Sequence, residues 1–180
     1  MDDESDTIDK LAIVNRQIGE AVWLFFEDRD HIIIHTIIAS AHQILIDLGK
    51  SASVDGSIKN TGKLRSQEIQ EFMRGVNHPY NFFKHADKDP NKEIDAGPYS
   101  RLTQHYIMDA IVMLQQLTGE IPDAAKVFWH WFVSYYPEEF DNLPKDGVIA
   151  EMQRQKFGEW SFPAIVLYLR FGRLVDDIGA

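Results

Sequence analysis

The sequence predicts an all-α protein, an up-and-down bundle of four long helices with a helical C-terminal appendage. Apolar residues recur every three or four positions through most of the chain, as they do on the buried face of a helix. Glycine and proline separate these periodic stretches, and the sequence lacks the alternating patterns typical of strands. These observations predict one helical domain over residues 1–180, with the bundle core at about 7–119 and the C-terminal helices at 122–180.

The first two long helices are predicted at residues 7–27 and 31–48. The first carries apolar side chains at a period near 3.6, which is typical of an amphipathic helix. An acidic turn over residues 27–30 separates the two, and its aspartates are suitable N-caps for the second helix. Gly49 is predicted to end that helix, because glycine readily adopts the left-handed conformation at helix C-termini.

Further helices are predicted where the periodic pattern resumes after a loop. Pro79 is placed to open a short helix, while Gly119 and Pro137 end two longer ones. In chain order the predicted helices are 64–76, the short 80–86, 98–118, 122–136, 147–157 and 162–171.

The composition narrows the classes of function. Hydrophobic residues make up 44% of the chain, which is ample for a core, and the net charge of −10 argues against a protein that binds duplex DNA. The absence of cysteine excludes disulfides, thiolate metal sites and cysteine nucleophiles. The acidic first residues are unlike a signal peptide, and the apolar runs at 21–26 and 32–38 are too short to span a bilayer. We therefore expect a soluble, cytoplasmic protein with no membrane partner.

Residues 81–87, which read Asn-Phe-Phe-Lys-His-Ala-Asp, are the strongest candidate for a site. In a helix Asn81 and His85 share one face, because residues four apart are neighbours. An asparagine amide can hold a phosphate or ribose oxygen, an imidazole can transfer a proton near neutral pH, and the Lys84 ammonium can offset phosphate charge. The structural alternative buries the two phenylalanines and leaves the polar residues to bond backbone groups.

Three histidines of the second predicted helix lie on one line. His31, His35 and His42 fall within about 40° of one another at about 100° per residue, away from the polar side of that helix. One interpretation makes them core-edge histidines that bond to carbonyls or carboxylates. The other makes His31 and His35 a metal pair, because histidines four residues apart on a helix are common metal ligands.

The other histidines and paired acids have weaker signals. His105 falls outside the apolar stripe of its helix and is expected to face solvent. Glu138 and Glu139 are expected to be solvated surface residues. His130 lies among two tryptophans and two phenylalanines, where aromatic packing is the expected role.

Chain connectivity predicts that several polar residues meet at one rim. If consecutive helices alternate in direction, the second helix begins where the third ends, beside the short helix at 80–86. Convergent polar groups beside an apolar wall are what a ligand pocket requires. The residues expected there, with Arg74 one turn beneath, are His31, His35, His78, Asn81, Lys84 and His85.

Four long helices that carry a polar residue four positions before a histidine resemble the HEPN superfamily. Bundles of that superfamily often act as metal-independent ribonucleases or as nucleotide-linked accessory domains. Their motif is an arginine followed four to six residues later by histidine, often with a polar residue directly after the arginine. Asn81 and His85 match the polar residue and the histidine, whereas Tyr80 stands at the arginine position. The run 81–90 is also similar to a group of uncharacterised bacterial helical proteins.

Three functions stay open, and two of them involve a bound ligand or metal ion. The first, implied by the resemblance, is a HEPN-like domain that acts on or binds RNA or a nucleotide, with His85, Asn81 and Lys84 as its site residues. The second is a histidine-rich metal-binding protein that uses His31 and His35.

The third function is non-enzymatic. The segments 127–136 and 160–168 are more apolar than one edge of a bundle needs. Large exposed apolar patches usually mark interfaces, so these aromatic C-terminal helices are expected to join copies of the chain in a homo-oligomer.

Overall fold

The computed structural model describes residues 7–54, 56, 81–87, 90–140 and 143–171. Regular structure in these residues is helical throughout, which confirms the all-α prediction. The helix predicted at 64–76 lies outside the described residues. The α-helices are α1 Lys10–Phe26, α2 His31–Ala52, α3 Tyr99–Thr118, α4 Asp123–Tyr135, α5 Gly147–Arg154 and α6 Phe162–Phe171, and two short 3-10 helices span Pro137–Glu139 and Phe157–Glu159.

Aspartates cap the N-termini of α1 and α2. α1 begins at Lys10 rather than at residue 7, because Asp9 is its N-cap and accepts a hydrogen bond from the Ala12 amide at 2.7 Å. α2 begins at the predicted residue, since Asp30 accepts in the same way from the Ile32 amide at 2.8 Å.

The C-terminus of α2 differs from the prediction. The helix continues past Gly49 to Ala52, and Ser53 takes the left-handed conformation at φ 57°. The Val54 amide then donates to the Gly49 carbonyl at 3.1 Å, and a Cβ at residue 49 would collide with the carbonyl of Val54. Glycine is required at residue 49 for this close approach, and it does not end the helix.

The later helices lie close to their predicted positions. α3 ends as predicted at Gly119, which is left-handed at φ 77°. The helix predicted at 147–157 ends early, at Arg154, because Lys156 turns left-handed at φ 53° before the second 3-10 helix. Residues 81–84 are helical and 85–87 are not, so the short helix predicted over 80–86 ends before His85.

α2 is the central helix of the bundle, and it packs most extensively against α3 and α1. The core side chains of these three helices are largely aliphatic, and full burial of each contributes about 1.5–3 kcal/mol relative to exposure. Those without exposed surface include Val14, Ile18 and Val22 of α1, Ile38 and Leu45 of α2, and Ile107, Ile111 and Leu114 of α3.

The C-terminal helices belong to the same core. α4 packs against α1, and the ring of Phe128 lies 5.3 Å from that of Phe25 at the end of α1. The Phe162 ring of α6 lies 5.0 Å from Phe25 as well. Tilted and edge-on ring contacts of this kind add to the area that each aromatic residue buries. The predicted appendage therefore completes the core around the C-terminal end of α1.

The segment 127–136, which is expected to join copies of the chain, is largely buried within one chain. Within the segment 127–136, Phe128, Trp131, Phe132 and Val133 are buried inside the chain, so they do not form an exposed patch. Association between copies stays a prediction. It now depends on the large apolar side chains that the described residues expose, which are Ile8, Ile33, Tyr135, Val148 and Phe171.

By length and composition alone, α2 is able to cross a membrane. It has 22 residues, and the mean hydropathy of its most apolar stretch is 1.5. This helix is longer than the apolar runs 21–26 and 32–38, from which we expected no segment able to span a bilayer. The central helix of a water-soluble bundle has the same properties. Here 44% of that stretch is buried inside the fold, including two histidines.

Candidate functional site

The three histidines of α2 bond to the chain segment that carries α3, and we call this row of contacts the interhelical seam. His35 and His42 have no exposed surface, as their shared helix face predicted, and His31 is half-buried. Bonds to a carbonyl and to a carboxylate confirm the core-edge interpretation for His31 and His42. The pairs are His31 Nε2 with Ala96 O at 3.0 Å, His35 Nδ1 with Thr103 Oγ1 at 3.1 Å and His42 Nε2 with Asp109 Oδ2 at 2.7 Å.

The pair of His42 and Asp109 is the part of the seam that buries an acidic side chain. The Nε2–H of His42 donates to Asp109 Oδ2, and the two side chains are 0% and 1% exposed. Removing a carboxylate from water costs several kcal/mol, so Asp109 depends on its hydrogen bonds. The backbone after α2 passes directly over the pair, because a Cβ on Gly56 would lie 2.5 Å from Asp109 Oδ2.

His35 holds a single tautomer. The hydroxyl of Thr103 donates its proton to the Tyr99 carbonyl at 2.7 Å, so its oxygen accepts from the Nδ1–H of His35. Nε2 of His35 then carries a lone pair, and it has no hydrogen-bond partner among the described residues. Burial is the largest cause, and with the neighbouring His31 and His42 it lowers the pKa of His35 from 6.5 to about 4. The imidazole is therefore neutral at pH 7.

Tyr106 fills the space between these two histidines. Its ring centroid lies 4.9 Å from that of His35 and 4.9 Å from that of His42. Burial raises the pKa of the Tyr106 phenol, and the nearby Asp109 carboxylate raises it further. The phenol is therefore neutral. The seam thus places the neutral Tyr106 ring beside the buried pair of His42 and Asp109.

His31 and His35, the predicted metal pair, each use one ring nitrogen in the seam. His31 donates its Nε2–H to the Ala96 carbonyl, and His35 donates its Nδ1–H to Thr103. Metal-bound histidines commonly make such a second contact through the ring nitrogen that does not face the metal. In the described part of the chain, however, no three histidine or acidic side chains are grouped closely enough to hold a metal ion. The metal pair stays a prediction.

Residues 81–85, here the surface segment, lie against the His35 end of the seam. The ring centroid of Phe83 is 6.0 Å from those of both His35 and Tyr99. The His85 amide donates to the Asn81 carbonyl at 3.0 Å, so the two residues are one helical turn apart. Asn81, Lys84 and His85 are exposed.

The predicted rim is only partly described. Phe83 brings the surface segment to His35, which agrees with the predicted meeting of the two regions. His78 and Arg74 lie outside the described residues. A pocket shared by Asn81, His85 and the α2 histidines stays a prediction.

Sequence reasoning did not identify the partners of the histidines on α3. Thr103 and Asp109 lie 68 and 67 residues from His35 and His42, a separation that no local pattern reveals. One signal was available in the sequence. Asp109 interrupts an apolar run between Met108 and Ala110, and an acid on a buried helix face requires a polar partner.

Comparisons of the chain with protein-family models, with curated proteins and with solved structures gave no match. The HEPN resemblance accordingly depends on the helical architecture and on the match of Asn81 and His85.

Replacing His42 is expected to be far more damaging than replacing His85. His42→Ala leaves Asp109 buried without this partner, and the loss of one member of a buried pair costs about 3–5 kcal/mol. His85 is exposed, so His85→Ala should change the free energy of unfolding by no more than about 0.5 kcal/mol. Urea unfolding of the two variants measures the difference. A His85→Ala protein that is the less stable of the two would show that the surface segment is structural.

His35 should make the fold sensitive to acid. The pKa of His35 is about 4 in the folded chain and 6.5 for an unperturbed imidazole, so the unfolded chain binds the extra proton first as the pH falls. The contribution of His35 to the free energy of unfolding is complete above pH 6.5. It is lost as the pH falls from 6.5 to 4, by about 3 kcal/mol in all.

Urea unfolding across this pH range tests the expectation. His35→Gln keeps an N–H near Thr103 but cannot titrate, so its stability should depend less on pH than that of the unmodified protein. His85→Gln is the matched control, and it should keep the full dependence because His85 is exposed. A His35→Gln curve that parallels the unmodified one would contradict the assignment.

Proposed function

We propose that this chain is a HEPN-like helical domain that binds single-stranded RNA or a nucleotide through Asn81, Lys84 and His85. The observation that carries the proposal is the combination in the surface segment of three exposed polar side chains with one anchored ring. Asn81 and His85 stand one turn apart, and Phe83 between them packs on His35 and Tyr99.

The chemistry of the three side chains suits a phosphorylated ligand. An amide donates to a phosphate or ribose oxygen, an ammonium neutralises phosphate charge, and an imidazole can both donate and accept a proton. All three are exposed, so a ligand reaches them without opening the core. A local cation matters more than net charge for a short ligand, and the overall charge of −10 disfavours only extended duplexes.

The anchoring of the surface segment supports ligand binding, because it holds the polar side chains in fixed positions. A site performs well when its side chains are held by rigid elements instead of mobile loops. Phe83 is fixed against a histidine that is itself bonded to Thr103, so the segment is connected to the α2–α3 packing. This arrangement reduces the conformational entropy that the surface segment loses when a ligand binds.

Binding is proposed ahead of cleavage for a chemical reason. The family motif supplies an arginine that stabilises charge in the transition state, and Tyr80 stands at that position here. Lys84 is the one cation of the surface segment, and a lysine lacks the two-pronged geometry of arginine. Strand cleavage by the unmodified protein would therefore be an unexpected result.

Fluorescence anisotropy with a labelled single-stranded RNA of about ten nucleotides tests the proposal. His85→Ala and Asn81→Ala should each weaken binding by about tenfold, equivalent to about 1.4 kcal/mol, while the circular dichroism spectrum stays unchanged. Lys84→Gln should weaken binding and also lower the salt slope by about 0.7, the value for one phosphate contact on a single strand.

The matched control is Lys145→Gln, which removes an exposed lysine just before α5. It should leave both affinity and salt slope unchanged. Equal losses of RNA affinity in Lys84→Gln and Lys145→Gln would mean that the RNA is held only by non-specific electrostatic attraction. No loss in the His85 and Asn81 variants would reject the proposed site.

A further inference from the structure

A second polar cluster, separate from the seam and the surface segment, joins α3 to the first 3-10 helix, Pro137–Glu139. His105 does not face solvent as its spacing predicted, since its side chain is only 28% exposed and lies against the rings of Phe132 and Tyr136, at 5.2 and 5.5 Å. Glu139, expected to be a solvated surface residue, is exposed, and its side chain, which is 28% exposed, binds this histidine. The cluster takes no part in the proposed RNA site.

Both ring nitrogens of His105 face acceptors. Nδ1 lies 2.9 Å from the carbonyl oxygen of Arg101, and Nε2 lies 3.0 Å from each carboxylate oxygen of Glu139. A carbonyl oxygen cannot donate, so the first bond needs a proton on Nδ1, and an ionised carboxylate likewise needs one on Nε2. Only the doubly protonated ring satisfies both contacts.

The surrounding charges are arranged around Glu139. Arg101, on the same helix as His105, donates to Glu139 at 3.1 Å and stacks over the Tyr136 ring at 5.3 Å. Arg101 and the imidazole therefore share Oε1 of this carboxylate, and the imidazole also reaches Oε2. The titratable and charged residues in contact with His105 are Arg101 on its own helix, Glu139 on the 3-10 helix and Tyr136. The Tyr136 hydroxyl donates to Gln104 at 2.6 Å, and Tyr135 and Glu138 lie near Tyr136.

We propose that His105 is a pH-sensitive latch, which ties the Pro137–Glu139 helix to α3 while its ring carries both protons and releases it when one is lost. The sign follows from the hydrogen bonds. The doubly protonated ring makes both contacts, and loss of a proton leaves a lone pair facing an acceptor. The latch therefore loosens as the pH rises and the ring gives up that proton.

Amide hydrogen exchange at Glu139 and Phe140 reports the latch directly. These amides donate to the carbonyls of Tyr136 and Pro137 at 3.1 and 3.3 Å, so they are protected only while the 3-10 helix is closed. After correction for intrinsic exchange, their protection should fall by about threefold to fivefold between about pH 5.5 and 8. The Gly119 amide, bonded to Gln115 O at the end of α3, is the internal control and should not change.

Three variants separate the latch from other causes. His105→Gln cannot titrate, and Glu139→Gln removes the carboxylate, so both should abolish the pH dependence. Arg101→Gln keeps the pair of His105 and Glu139, and it should lower protection at every pH while preserving the dependence. Protection that is independent of pH in the unmodified protein would overturn the proposal. A dependence that persists in either His105→Gln or Glu139→Gln would overturn it as well.

Discussion

The buried hydrogen bond between His42 and Asp109 is the constraint on which the packing of α2 against α3 depends. A carboxylate with 1% exposure is tolerated only where donors meet it, and the Nε2–H of His42 does so at 2.7 Å. Sliding α2 along α3 by one turn, about 5.4 Å, would separate the two groups and leave both without this partner. The aliphatic contacts of the same helices supply more of the stability, but they tolerate small shifts far better. The buried pair therefore sets the register, while the apolar core supplies the driving force.

The same register determines what the bundle presents at its surface. His31, His35 and His42 occupy one line on α2, so fixing His42 also fixes the position of the other two. His35, bonded to Thr103, provides the ring against which Phe83 packs. The exposed amide, ammonium and imidazole of the surface segment thus depend on a buried bond two turns further along α2. A change at the core is expected to reach the proposed ligand site through this chain of contacts.

Much of the fold could be predicted from the sequence, because helix periodicity and capping are local properties. Asp30, Gly119 and the histidine face of α2 are all where the pattern predicts them. Features that depend on distant partners could not be predicted. Gly49 resembles a helix C-cap until the close approach of Val54 is known, and His105 looks exposed until Glu139 covers it. The aromatic residues of α4 suggested an interface because nothing in their own segment reveals that Phe25 and Phe162 enclose them.

A double-mutant cycle between His42 and Asp109 tests the central claim most directly. His42→Ala, Asp109→Ala and the double variant are unfolded in urea under one set of conditions, and the coupling free energy is the departure from additivity. If the pair sets the register, the double variant should be less destabilised than the sum of the two single variants by about 2–3 kcal/mol, because neither group is then left buried without the other. Additive effects within about 0.5 kcal/mol would contradict the account. They would mean that the apolar core alone holds α2 against α3.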